Sequence, residues 1–150
     1  MRWDGDGRML DLADGLASLA KTAAGREDID ALWLFGSYGT DRQTPLSDID
    51  FAVLPAPGTP RQFMWLLGLE AWLSEFLRCD AVDLLRIDTA PLWLQADVAQ
   101  RGRLLFVREP IRFADYLEVL WRNWGDFQID YHAFQAEARP ALLQAVRNGH

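Results

Sequence analysis

The sequence predicts an α/β domain, and three observations carry that reading. Short apolar runs alternate with longer stretches whose apolar residues recur every three or four positions. Gly and Pro punctuate mainly between these segments, and no repeat, low-complexity tract or long linker interrupts them. At 150 residues the chain has room for one compact domain. Because 50% of it is hydrophobic and 12% aromatic, it holds enough apolar surface to fold without staples.

Taken in order, residues 8–24 space Leu10, Leu12, Leu16, Leu19 and Ala20 at a helical period, with Gly15 as the weak point, and predict an opening helix. Ala31 to Phe35 is a continuous apolar run ending at Gly36, which suits a strand buried on both faces; Asp50 to Leu54 is a second. Between them, Ser37 to Gln43 has room for a short helix only, and Thr44-Pro45-Leu46-Ser47 returns the chain. Thr59-Pro60 supplies an N-cap and first-turn proline for a helix carrying Phe63, Leu66, Leu67, Trp72, Leu73, Phe76 and Leu77. Ala81 to Ile87 reads as a third, central strand. Thr89-Ala90-Pro91 opens a helix that Gly102 ends, and Arg103 to Val107 is a fourth strand. From Pro110 onward the apolar residues between Phe113 and Tyr131 follow i, i+3, i+4 spacing, which predicts a long amphipathic helix, with a last helical segment at 134–146 restarted or kinked at Pro140. The whole chain, 1–150, is expected to be one domain, with a core at about 29–107 and a helical segment at about 110–147.

Composition excludes several classes of function. One cysteine, Cys79, forbids an intrachain disulfide and a cysteine-rich zinc site, and two histidines, His132 and His150, make a histidine metal centre equally poor, so any metal must sit on carboxylates. A net charge of -7 repels nucleic-acid phosphates, so no direct nucleic-acid binding is expected. Met1 is followed by polar residues and no apolar run is long enough to span a membrane, so the expectation is a cytoplasmic protein without a membrane partner.

The chemistry concentrates between Leu34 and Phe51. Side chains alternate along a strand, so Asp48 and Asp50 share one face while Ile49 and Phe51 point to the other. Two carboxylates so close raise each other's pKa unless a hard cation neutralises them, and oxygen-only ligands suit Mg²⁺. Gly36 and Ser37 stand where a strand gives way to a helix, the glycine allowing close backbone approach and the serine adding a hydroxyl to helix-terminal N–H groups, which makes a phosphate seat. Asp83, flanked by Ala81, Val82, Leu84 and Leu85, needs a cation or donor to justify its burial. Asp80 and Asp88 compete for that role, but each lies at a strand boundary that suits a cap or a solvated side chain.

Gly36-Ser37, ten intervening residues and Asp48-x-Asp50 resemble the signature of the polymerase β superfamily of nucleotidyltransferases. The size and the Ser-Asp-Ile-Asp form further resemble the minimal nucleotidyltransferase (MNT) domains that act as antitoxins beside HEPN ribonuclease toxins. The resemblance implies a mixed sheet flanked by helices, with Asp48, Asp50 and Asp83 holding Mg²⁺, and transfer of AMP from ATP. It departs from the family where, after Tyr38, Gly39-Thr40-Asp41 stands in place of the usual Ala-Arg-Gly; Arg42 reads equally as a displaced triphosphate contact and as a surface arginine.

The resemblance also implies the acceptor, a tyrosine of a HEPN toxin. The toxin must be a separate chain, since no Arg-His pair here has the HEPN spacing. Two other functions stay open: a non-catalytic antitoxin that only caps its toxin, and a small-molecule transferase of the aminoglycoside type. The aromatic helix at 113–131 reads as core or a seam between identical subunits, with toxin docking as the sharper alternative.

Overall fold

The computed structural model describes residues 2–3, 9–10, 12–36, 49–60, 62–137, 144 and 146–147. β1 (Arg2–Trp3) and β2 (Met9–Leu10) pair antiparallel in a small ribbon, and α1 runs over Leu12–Ala23. The opening helix is therefore shorter than the periodicity predicts. Strand pairing with Arg2 and Trp3 occupies the backbone of Met9 and Leu10.

The main sheet comprises β3 (Ile29–Phe35), β4 (Ile49–Pro55), β5 (Val82–Arg86) and β6 (Arg103–Val107), in the order β5-β4-β3-β6. β3 is antiparallel to both neighbours, whereas β4 and β5 are parallel, so the sheet is mixed. β5 is an edge strand, which corrects its expected central place: among the described residues it pairs with β4 alone.

Both faces of β3 and β4 are covered, which is why their sequences are apolar runs rather than alternations. On one face Leu32, Leu34, Phe51 and Val53 pack against Leu16 and Leu19 of α1 and against Leu69, Leu73 and Leu77 of α2 (Phe63–Leu77). On the other, Ala31, Trp33, Ala52 and Leu54 meet Trp93, Leu94 and Val98 of α3 (Leu92–Arg101) and Trp124 of α4 (Pro110–Glu137).

Helix ends depart from expectation where tertiary bonds compete. Thr59 does not cap α2: its hydroxyl donates to the Asp28 carbonyl and its N–H to Ala56, closing a turn, and the helix starts at Phe63. Ile87–Thr89 forms a 3-10 turn before α3. Gly102 ends α3 as expected, but by close approach rather than a left-handed cap, since a Cβ there would lie 2.5 Å from the Val98 carbonyl oxygen.

α4 starts at Pro110 as the spacing predicts, and runs past Tyr131 to take in residues 134–137. Gln144, Val146 and Arg147 are also helical, and Val146 packs on the α3–α4 side; Pro140 lies outside the described residues. Leu120 and Trp124 are buried, while Val119, Trp121 and Phe127 are exposed, so only part of the aromatic stripe is core. Two arginines fasten the start of α4. Arg112 makes a bidentate pair with buried Asp30 at 2.6 and 3.0 Å, and Arg108 donates to the carbonyls of Ala23, Ala24 and Arg26, at and just after the C-terminal end of α1, and of Ile29 at the start of β3. No helix among the described residues is long and apolar enough to cross a membrane.

Candidate active site

The candidate site lies at the end of the sheet where β3 finishes and where β4 and β5 begin. Phe35 is the register partner of Asp50, and Asp50 is the register partner of Asp83. Register partners on adjacent strands present their side chains on the same face, about 5 Å apart. The parallel pairing of β4 and β5 therefore sets two carboxylates side by side, and a hydrogen bond from Ile49 N–H to the Ala81 carbonyl at 2.8 Å holds that register at the strand starts. Ile49, Phe51, Val82 and Leu84 point the other way, into the α1–α2 core. Asp50 and Asp83 are half-buried.

Gly36 follows immediately on β3. Its φ of +86° lies in the left-handed region that favours glycine, and a Cβ built on it would sit 2.2 Å from Asp50 Oδ2 and 3.1 Å from Asp50 Cγ. Glycine is required here on two counts. The Asp50 carboxylate fills the place a side chain would take and is thereby held against the turn that leaves β3.

Ser37, Arg42 and Asp48, the other residues singled out from sequence, lie outside the described residues. Among the described residues no three His, Cys, Asp or Glu side chains gather closely enough to hold a metal ion, and the part of the constellation on view is Asp50 with Asp83 beside Gly36. Of the competing acids, Asp88 lies beyond the far end of β5, exposed as expected of a solvated side chain, where it accepts two hydrogen bonds from Arg86 at 2.8 and 3.2 Å. Asp80 is exposed ahead of β5. Sequence reasoning passed over Arg103, which opens β6 as the register partner of Leu34 and so reaches this end of the sheet. The signal available was a basic residue between the helix-ending Gly102 and the apolar run Leu104–Val107.

The family model of the polymerase β nucleotidyltransferases matches residues 17–111, from α1 to the start of α4. The chain belongs to that family. The matched span contains Gly36, Asp50 and Asp83, and the mixed sheet is consistent with the family fold.

Solved structures agree on the fold. A toxin–antitoxin structure with AMP-PNP contains a chain with a TM-score of 0.57 at 20% identity, covering 81% of this chain and 98% of that one. The MntA–HepT toxin–antitoxin gives 0.53 at 19% identity, covering 82% and 98%. A tri-AMPylated Shewanella oneidensis HEPN toxin in complex with an MNT antitoxin gives 0.54 at 21% identity, covering 90% and 98%. No match was found among curated proteins.

Proposed function

We propose that this family member is an MNT antitoxin of the cytoplasm, which transfers AMP from ATP to a tyrosine of a HEPN toxin on a separate chain and so silences it. The observation that carries the reading is the register pairing of Asp50 with Asp83 beside left-handed Gly36. Support also comes from the fold likeness to toxin–antitoxin structures, one with AMP-PNP and one with a tri-AMPylated HEPN toxin.

The donor set fits Mg²⁺: the paired groups are hard carboxylate oxygens, and Gly36 leaves room for the Asp50 carboxylate at the turn. Asp50 and Asp83, joined by Asp48, would hold the ion. When bound, Mg²⁺ supplies positive charge against the phosphate oxygens. Gly36 and Ser37 seat the phosphates through backbone N–H groups and a hydroxyl. The tyrosine oxygen attacks the α-phosphorus in line, the bond from that phosphorus to the bridging oxygen breaks, and pyrophosphate leaves with the electron pair. Asp83 accepts the proton that the tyrosine hydroxyl loses. The product carries a phosphodiester whose charge and bulk obstruct RNA phosphates at the toxin.

The test is incubation of the chain with ATP, Mg²⁺ and a HEPN toxin, read by intact-mass spectrometry and by the toxin's ribonuclease activity. Mass steps of one AMP on the toxin are expected, lost in Asp50→Asn and Asp83→Asn variants whose circular dichroism matches the parent. Equal neutralisation by an Asp50→Asn, Asp83→Asn double variant at the same dose would mean that binding alone silences the toxin.

A further inference from the structure

A helix lying on a sheet ordinarily turns a polar side to solvent. α2 is apolar on both sides. Leu69, Leu73 and Leu77 are buried beneath it, while Phe63, Met64, Leu67, Gly68 and Ala71 are exposed on its outer face. These five occupy roughly two and a half turns, and none is charged. We propose that this face joins two copies of the chain in an antiparallel α2–α2 seam, a homodimer that stands apart from the nucleotidyltransferase reading above.

Area is the first support. Phe63, Met64 and Leu67 are 65%, 71% and 40% exposed. At about 200 Å² for a large side chain that amounts to roughly 350 Å² of apolar surface. A stable interface takes about 800 Å² from each partner, somewhat over half of it apolar, so this face supplies most of the apolar share that one copy contributes. Shape is the second. Large Met64 and small Ala71 stand two turns apart on one face, so a two-fold axis between Leu67 and Gly68 sets Met64 against the partner's Ala71, and Ala71 against the partner's Met64. Leu67 and Gly68 each then meet their own counterpart across the axis. Glycine inside a helix weakens it, and among the described residues a Cβ built on Gly68 meets nothing within 4 Å. No neighbour within the chain needs that space, whereas a second helix approaching closely does.

Charge decides the occupant. Two copies at a net charge of -7 repel each other, so they can approach only over a surface without charge, which this face provides. A ribonuclease must offer basic surface to RNA and is drawn to acids instead. Those are found elsewhere, on residues 113–137 of α4, where Asp115, Glu118, Asp126, Asp130 and Glu137 outnumber Arg122. The arrangement also spares the candidate site. α2 ends at Leu77, just ahead of β5, and the seam is centred about 14 Å back along the helix. An antiparallel pair therefore directs the two Asp50–Asp83 sites away from each other.

The experiment is sedimentation of the full chain across the micromolar range, without nucleotide or toxin, for the parent, Met64→Glu, Met64→Ala, Ala71→Met and the Met64→Ala, Ala71→Met double variant. All four changes lie at exposed positions, and circular dichroism checks that each keeps the fold. The parent should sediment at twice the chain mass and Met64→Glu at the single mass. Met64→Ala empties the seam and Ala71→Met crowds it, and each should weaken dimerisation about tenfold or more. The double variant exchanges the large and small positions and should recover most of that loss, which an antiparallel seam alone allows. A parent that stays monomeric, or a dimer that survives Met64→Glu, overturns the proposal, and so does a double variant weaker than both single ones. A monomeric parent whose Met64→Glu variant loses affinity for a HEPN toxin assigns the face to the toxin and overturns it equally.

Discussion

Replacing Gly36 by alanine separates backbone strain from displacement of a site carboxylate, because the fold contains its own control. Gly36 and Gly58 have nearly the same left-handed backbone, with φ of +86° and +84°. A Cβ at Gly58 meets nothing within 4 Å, whereas one at Gly36 would lie 2.2 Å from Asp50 Oδ2 and 3.1 Å from Asp50 Cγ. Both substitutions carry the left-handed penalty of roughly 1–2 kcal/mol. Only Gly36→Ala must also turn the Asp50 side chain out of its well. Since Cγ is crowded as well as Oδ2, rotation relieves the contact only in part, and the added cost is roughly 0.5–1.5 kcal/mol. Urea unfolding should therefore show Gly58→Ala destabilised by about 1–2 kcal/mol and Gly36→Ala by about 1 kcal/mol more. The sharper readout is AMP transfer: a displacement of Asp50 on the ångström scale should lower it on the order of a hundredfold, while Gly58→Ala transfers at the parental rate. Equal stability losses together with parental transfer by Gly36→Ala would refute the placement of Asp50 against the turn.

Other expectations follow from the fasteners of the fold. Arg108→Ala leaves the carbonyls between the end of α1 and the start of β3 without their shared donor and should cost about 3 kcal/mol in urea unfolding, with Arg108→Lys recovering only part because an ammonium cannot span four acceptors. Asp28 is held below the usual carboxylate range, chiefly by the Arg26 guanidinium and also by the Trp65 indole N–H, against the opposing pull of burial. Its contribution to stability is present above the unfolded carboxylate pKa and is lost as pH falls through the lower folded value, so Asp28→Asn should flatten the acid limb of stability below about pH 4. Burial pushes the Tyr116 phenol up, with the Asp88 charge adding to it. The unfolded chain therefore ionises first, stability falls as pH rises above about 10, and Tyr116→Phe should flatten that limb while losing the hydrogen bond to Gln95.

How far the fold and site could be read in advance turns on whether the deciding contact is local. Burial on both faces writes itself into Ala31–Phe35 and Asp50–Leu54 as unbroken apolar runs, and these strands were legible almost to their ends. Thr59 had the chemistry of a cap but spends its hydroxyl on Asp28, 31 residues away, so the helix starts later than the sequence suggests. The acids of the sheet show the same limit more sharply. Ile29-Asp30-Ala31 and Val82-Asp83-Leu84 look alike in sequence, each a carboxylate inside an apolar strand that demands a compensating charge. Only Asp83 was read as a metal ligand. The structure answers Asp30 with the guanidinium of Arg112, 82 residues downstream, and sets Asp83 beside a second carboxylate on the neighbouring strand. A buried aspartate thus signals from sequence that some compensating group is needed, but strand order and register decide what stands beside it. The same apolar-strand signal ends in a guanidinium fastening α4 at Asp30 and in a second carboxylate on the neighbouring strand at Asp83, an outcome that no local feature of either strand distinguishes.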